Sequence, residues 1–319
     1  MENDDCLAEP VTRNTDRLKV LGRSFWNEGD GSISFDWPGT QLVFRVLGSP
    51  AEVTMSASLG EDLLAVYAND SWQGHIGPGN GKKEAHLLVR DVPEDCEIRI
   101  VKTSESNMEI PVTIYDILAS PSGKDDGVAP CIAHLKVEGR YPDHGAMMEF
   151  VGDSDTSALY NLLVNGRERA DYARPSDSNI ERGWPFFLAE KLGIACPSVV
   201  ALSGVGIHAG PHREKSMSDY YPRVLCCREN PHNLAPRNDI FADESGPLCI
   251  FVFVGGNDLV ALPRDSPLPR RRLFLEDLAS AHQALLCAIR HHRPRSPIVS
   301  LYGDARSCSG CGSVAEQEW

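Results

Sequence analysis

Three short segments of the chain bring together residue types suited to acyl transfer. Gly152-Asp153-Ser154-Asp155-Thr156 presents a serine hydroxyl on a tight turn, where an oxygen nucleophile can reach an ester carbonyl. Ser203-Gly204-Val205-Gly206 offers backbone N–H groups that no Cβ shields, and Gly255-Gly256-Asn257-Asp258 offers a side-chain amide. Attack by Ser154 creates a tetrahedral oxyanion that needs donors already in place, and losing one costs on the order of 3 kcal/mol. The candidate donors are the N–H of Ser154, the N–H of Gly204 or its neighbour, and the Asn257 amide. Asp153 and His208 are secondary candidates. His208 follows the second glycine loop and is the best placed of a poor set of histidines to take the serine proton. Each segment alone has a plainer reading. Gly-Asp-Ser is a common turn, Gly204-x-Gly206 lacks the third glycine of a dinucleotide fingerprint, and Asn257-Asp258 also suits a helix cap. Their order and their shared position after apolar strands give them weight together.

Those strands belong to a second half in which apolar runs alternate with helical patterns. Met148 to Val151, Ser198 to Leu202, Leu248 to Val254 and Pro297 to Tyr302 read as buried strands. Trp184 to Leu192 has a helical face of Phe187, Leu188 and Leu192, and Phe274 to His291 carries Phe274, Leu278, Leu285 and Ile289 at helix spacing. This alternation predicts a mostly parallel sheet covered on both faces, with ligands beyond the carboxyl ends of its strands. All three chemical segments fall at such ends.

The first half has another texture. Gln41 to Val46, Glu52 to Met55, Leu63 to Tyr67, Ala85 to Val89, Glu97 to Val101 and Val112 to Leu118 are short β-type runs divided by Gly and Pro turns. They predict an antiparallel sandwich or jelly roll. The expected layout is a disordered segment over 1–20, the β-sandwich over 21–119, a linker over 120–145, the α/β domain over 146–304 and a disordered tail over 305–319. Trp37 and Trp72 read first as packing residues and second as sugar-stacking platforms.

Bulk properties exclude several classes. The chain has 319 residues, 42% hydrophobic and 24% charged, an ordinary globular balance. A net charge of −14 argues against a nucleic-acid partner. No run is apolar for long enough to span a membrane, and the acidic N-terminus does not resemble a signal peptide. As written, the chain is expected to be cytoplasmic, or secreted if its N-terminus is incomplete. Ten cysteines are scattered. The lone Cys308/Cys311 pair lacks a second pair, so neither metal nor redox cofactor is implied.

The three segments resemble the blocks of the SGNH hydrolase superfamily, with Asp155 replacing the family's usual apolar residue. Gly22-Arg23, Phe35-Asp36-Trp37-Pro38-Gly39, Lys102-Thr103-Ser104-Glu105 and Tyr220-Tyr221-Pro222-Arg223 resemble carbohydrate esterase family 2, from roughly Leu21 to Tyr302. The resemblance implies a jelly roll followed by a flavodoxin-like α/β/α domain, and hydrolysis of acetyl esters on carbohydrate or other small esters, with no cofactor. It also implies an Asp-x-x-His block after the fourth strand. The chain has none there: after Leu301-Tyr302-Gly303-Asp304 it runs to Trp319 without one. The sheet is therefore expected to be incomplete at its C-terminal end, leaving an edge or an apolar face uncovered. The rival expectation is a glycan-binding pseudo-esterase that keeps the cleft without turnover.

Overall fold

The computed structural model describes residues 18–27, 29–47, 50–106, 108–120, 131–133, 148–162, 174–194, 197–208, 213–226, 249–262 and 266–302. Period-two alternation shapes the first half into strands. They are β1 (Lys19–Leu21), β2 (Phe25–Asn27), β3 (Ser32–Phe35), β4 (Gln41–Leu47), β5 (Glu52–Ser58), β6 (Leu64–Ala68), β7 (Ser71–Ile76), β8 (Lys83–Arg90), β9 (Cys96–Lys102), β10 (Val112–Ser120) and β11 (Cys131–Ala133). In β9, Ile98 and Ile100 are buried while Glu97 and Arg99 between them stay partly wet. One sheet runs β1-β4-β9-β6-β7 with β11 also paired to β4, and the other runs β2-β3-β10-β5-β8. Phe35, Met55 and Ile114 from one sheet meet Leu42, Phe44, Leu64 and Ile98 from the other in a single core. This half is a two-sheet sandwich.

Several strands lie outside the expected set. β7 is an edge strand whose Ser71, Trp72, Gln73 and His75 are all exposed, so it has no apolar alternation to read. β11 falls inside the stretch expected as a linker; Cys131–Ala133 pairs with Arg45–Leu47, beyond the point where β1 ends along β4. Lys19 and Val20, expected to be disordered, are in β1.

The second half contains β12 (Met148–Gly152), α1 (Ser154–Ser157), α2 (Trp184–Lys191), β13 (Pro197–Ala201), α3 (Met217–Tyr220), β14 (Cys249–Phe253), α4 (Gly256–Ala261), α5 (Leu268–His292) and β15 (Ile298–Ser300). Its four strands pair parallel in the order β13-β12-β14-β15. Every residue of β12 and β13 is buried, as both-face coverage requires. Val151, Val200, Ile250 and Val252 pack with Leu285 and Ile289 of α5 on one face. Phe150, Val199 and Ala201 pack with Ala189 of α2 on the other.

Two helix expectations need correction. Phe187 and Leu192, assigned to the packed face of α2, are 52% and 53% exposed; Pro185 and Ala189 take that face instead. α5 starts at Leu268 rather than Phe274, because Pro269 in the first turn supplies a preset φ and needs no N–H partner.

From β12 the chain crosses to β13 on one side and later to β14 on the other. The loops leaving β12 and β14 thus diverge and leave a crevice at their carboxyl ends.

Candidate active site

Gly152 ends β12 and Ser154 opens α1 directly after it. A Cβ on Gly152 would stand 2.0 Å from Thr156 Oγ1 and 2.6 Å from the Phe253 carbonyl. The glycine serves close approach inside the sheet rather than exposure on a turn, the role the sequence suggested. Asp153 caps α1 by accepting from the Asp155 N–H at 3.2 Å. Ser154 is half-buried. Among the described residues its N–H has no acceptor and its hydroxyl touches no histidine.

The loop after β13 is held from two sides. Glu105, from the sandwich half, accepts the Ser203 N–H at 2.6 Å and the Ser157 hydroxyl at 3.1 Å. Asp258 accepts the N–H groups of Ile207 and His208, each at 2.8 Å. Gly206 makes that second clamp feasible, since a Cβ there would sit 2.7 Å from both Asp258 carboxylate oxygens. Between the clamps lies Gly204, whose N–H donates to no other described residue. Asn257, at the start of α4, donates its amide to the Val205 carbonyl at 2.8 Å and approaches Asp153 Oδ2 at 3.4 Å. Residues 153, 154, 204 and 257 therefore meet at the carboxyl ends of β12, β13 and β14.

Burial shapes the charge of this corner. It pushes the Asp153 carboxyl up to about 7, with the Asp155 and Asp258 charges adding to the rise. Burial likewise raises Glu105 and Asp155, while the Ser203 and Ser157 hydrogen bonds pull Glu105 partly back.

His208 lies on the clamped loop through its backbone. His282 of α5 instead faces a cleft of about 450 Å³ that is also lined by Asp153 and Asp155. Its Nε2 lies 3.1 Å from Ser300 Oγ and its Nδ1 3.0 Å from Tyr302 Oη. His212 and Asp304, and the other candidates His232, Cys308 and Cys311, lie outside the described residues. Trp37 is 1% exposed and belongs to the core of the α/β half, whereas Trp72 is 58% exposed and packs edge-to-face on His75 rather than in a core.

The sequence missed two positioning roles. Glu105 sits in a quoted block, but nothing local says that its partner is Ser203, 98 positions away. Asp258 reads as a helix cap, although the cap of α4 is Gly255 and Asp258 holds the glycine loop. Among the described residues no cluster of His, Cys, Asp and Glu is arranged to hold a metal.

No family model matches the chain, and no curated protein sequence matches it. Solved structures do. A family two carbohydrate esterase from Cellvibrio japonicus superposes with a TM-score of 0.70 at 17% identity, over 92% of this chain and 79% of that one. An acetyl xylan esterase from the rumen bacterium Butyrivibrio proteoclasticus gives 0.68 at 16%, over 91% and 79%. A family two carbohydrate esterase from Clostridium thermocellum, in complex with cellohexaose, gives 0.67 at 17%, over 91% and 81%. The chain thus has the fold of family two carbohydrate esterases, in both halves and in their order.

Proposed function

We propose that the protein is a serine esterase of SGNH type that deacetylates carbohydrate. Ser154 attacks the ester carbonyl, and the N–H groups of Ser154 and Gly204 with the Asn257 amide receive the oxyanion. The acyl group passes to Ser154, the sugar alcohol leaves, and water then hydrolyses the acyl-enzyme. The observation that carries this reading is the pair of open N–H groups, on Ser154 and Gly204, fixed at adjacent strand ends beside Asn257. The fold shared with carbohydrate esterases supports the substrate class.

A nucleophilic serine needs a base, and His208 is the candidate. The test is hydrolysis of p-nitrophenyl acetate by the wild type beside Ser154→Ala and His208→Ala. Loss of turnover to background in Ser154→Ala is expected; unchanged turnover would overturn the assignment. A second reading, a glycan-binding protein without turnover, is favoured by the absence of a histidine on the Ser154 hydroxyl among the described residues. It predicts cellohexaose binding with no ester cleavage.

A further inference from the structure

The glycine loop after β13 is also held by its carbonyls, from the segment that leads into α3. Met217 donates its N–H to the Gly206 carbonyl at 2.9 Å. Arg213, half-buried, donates from Nε to the Ser203 carbonyl at 3.0 Å. That carbonyl and the Gly204 N–H belong to one planar trans peptide, so they point in opposite directions. The Gly204 N–H therefore faces away from the guanidinium. The turn itself leaves the direction of this peptide open. Val205 donates to the Leu202 carbonyl at 3.3 Å and closes a four-residue turn with Ser203 and Gly204 at its centre. Gly204, third in the turn, has φ +75°, the signature of the type II form. Rotating the central peptide by half a turn gives the type I form, with the Ser203 carbonyl and the Gly204 N–H exchanged in direction. Glycine tolerates both forms, and the Val205 hydrogen bond suits both. A contact outside the turn must choose between them.

We propose that Arg213 is a positioning residue for the oxyanion site: through the Ser203 carbonyl it holds the 203–204 peptide in the orientation that presents the Gly204 N–H, and it strengthens that N–H as a donor. The proposal rests on the reading of Ser154 as nucleophile and Gly204 as oxyanion donor. Among the described residues, Arg213 is the one donor to the Ser203 carbonyl. A cation on a carbonyl oxygen draws electron density through the amide, so the N–H at its other end becomes a better donor. A charge-assisted bond is also roughly twice as strong as a neutral one, which favours the type II form over its rival. Ser203 is gripped at its other end with the matching sign. Glu105 accepts its N–H at 2.6 Å, and the attraction of Arg213 helps to keep that carboxyl charged against burial. Carboxylate on the N–H and guanidinium on the carbonyl fix the peptide planes on both sides of Ser203.

Two measurements on the full chain test this. Arg213→Met and Arg213→Leu remove the donor, and the pair guards against a folding defect in either. Arg213→Lys restores a charged donor, which suffices because a single N–H makes the bond. With p-nitrophenyl acetate, loss of the donor is expected to lower kcat by roughly ten- to a hundredfold while KM changes less than about twofold. Arg213→Lys is expected to recover a large part of that loss. An unchanged kcat without the donor, or a loss that lysine does not recover, overturns the proposal. The second measurement needs no turnover. The Gly204 amide resonance, selected by carbonyl-13C serine with 15N glycine labelling, is expected to move upfield without the donor and to return toward its wild-type position in Arg213→Lys. An unmoved resonance means that the peptide keeps its orientation and polarity without the guanidinium, and overturns the proposal. Wild-type turnover no greater than that of Ser154→Ala defeats the nucleophile reading instead, and with it any part of Arg213 in catalysis. The amide resonance then still decides whether the guanidinium sets the Gly204 peptide.

Discussion

Asp153 stands in an unusual position for a carboxyl group: it caps a helix, touches an amide and is only 5% exposed. With its proton affinity pushed up to about 7, it stays protonated in the folded state through a range where the unfolded chain has already ionised. The folded state therefore binds the extra proton between roughly pH 4 and pH 7, and stability falls as pH rises across that window. Near 1.4 kcal/mol per pH unit, the ionised group costs on the order of a few kcal/mol above pH 7. Asp153→Asn keeps a side-chain oxygen for the cap and removes the titration. Its melting temperature is expected to match the wild type near roughly pH 3, where the aspartate is protonated in both states, and to exceed it at roughly pH 8. Glu105 and Asp155 are shifted the same way, so the wild type loses stability over this range through more than one group. The difference between variant and wild type isolates the contribution of Asp153, and parallel melting curves at the two pH values would refute it.

At the scale of elements, the glycine loop after β13 is the part whose geometry depends most on distant residues. Its Ser203 end is fixed by Glu105, and Glu105 is itself delivered by a buried lysine. Lys102 pairs with Asp62 at 2.7 Å, both fully buried, and donates to the Ser104 and Glu105 carbonyls. Removing the Glu105 carboxylate leaves the Ser203 N–H without its acceptor, a loss of about 1–3 kcal/mol. It also frees the Gly204 donor to move, and small misplacements near reacting atoms can cost up to about a hundredfold in rate. Glu105→Ala and Asp258→Ala are each expected to lower kcat for p-nitrophenyl acetate by roughly ten- to a hundredfold, with KM changed less. Unchanged kcat in both would mean that the loop holds its shape without them. These clamps also mark where the sequence stops being legible. β12 and β13 announce themselves as apolar runs because both of their faces are covered, β14 because Phe251 and Phe253 fill even its partly exposed face, and Ser154, Gly204 and Asn257 follow from them. β7 gives no such signal because it is an edge strand in water, and β11 is hidden because three residues carry no readable period. Glu105 and Asp258 are missed for a different reason: their roles are set by partners that only the tertiary fold brings near.

At the scale of the whole molecule, the two halves share buried polar contacts that neither satisfies alone. Arg23, ahead of β2, donates to Glu149 of β12 at 3.1 Å and to the carbonyls of Tyr221 and Arg223. Asp36 accepts the Cys226 N–H at 2.9 Å, and the adjacent Trp37 is packed into the α/β core. Arg23 and Glu149 are 6% and 0% exposed, so parting them would strand a carboxylate whose one other cation among the described residues is Arg293, at 3.7 Å. Interfaces between ordinary domains are more polar and wetter, and permit relative motion. Here the contacts tie both halves to one stability. Urea unfolding of the wild type is expected to show one transition, coincident by far-ultraviolet and near-ultraviolet circular dichroism. Arg23→Met should lower stability by about 3–5 kcal/mol, because it leaves Glu149 largely uncompensated. Arg23→Met with Glu149→Met should recover much of that loss, since buried pairs are often replaceable by apolar residues of similar size. If the wild type instead unfolds in two separated steps, the sandwich does not depend on the α/β half, and Glu105 positions the glycine loop across a joint that can open.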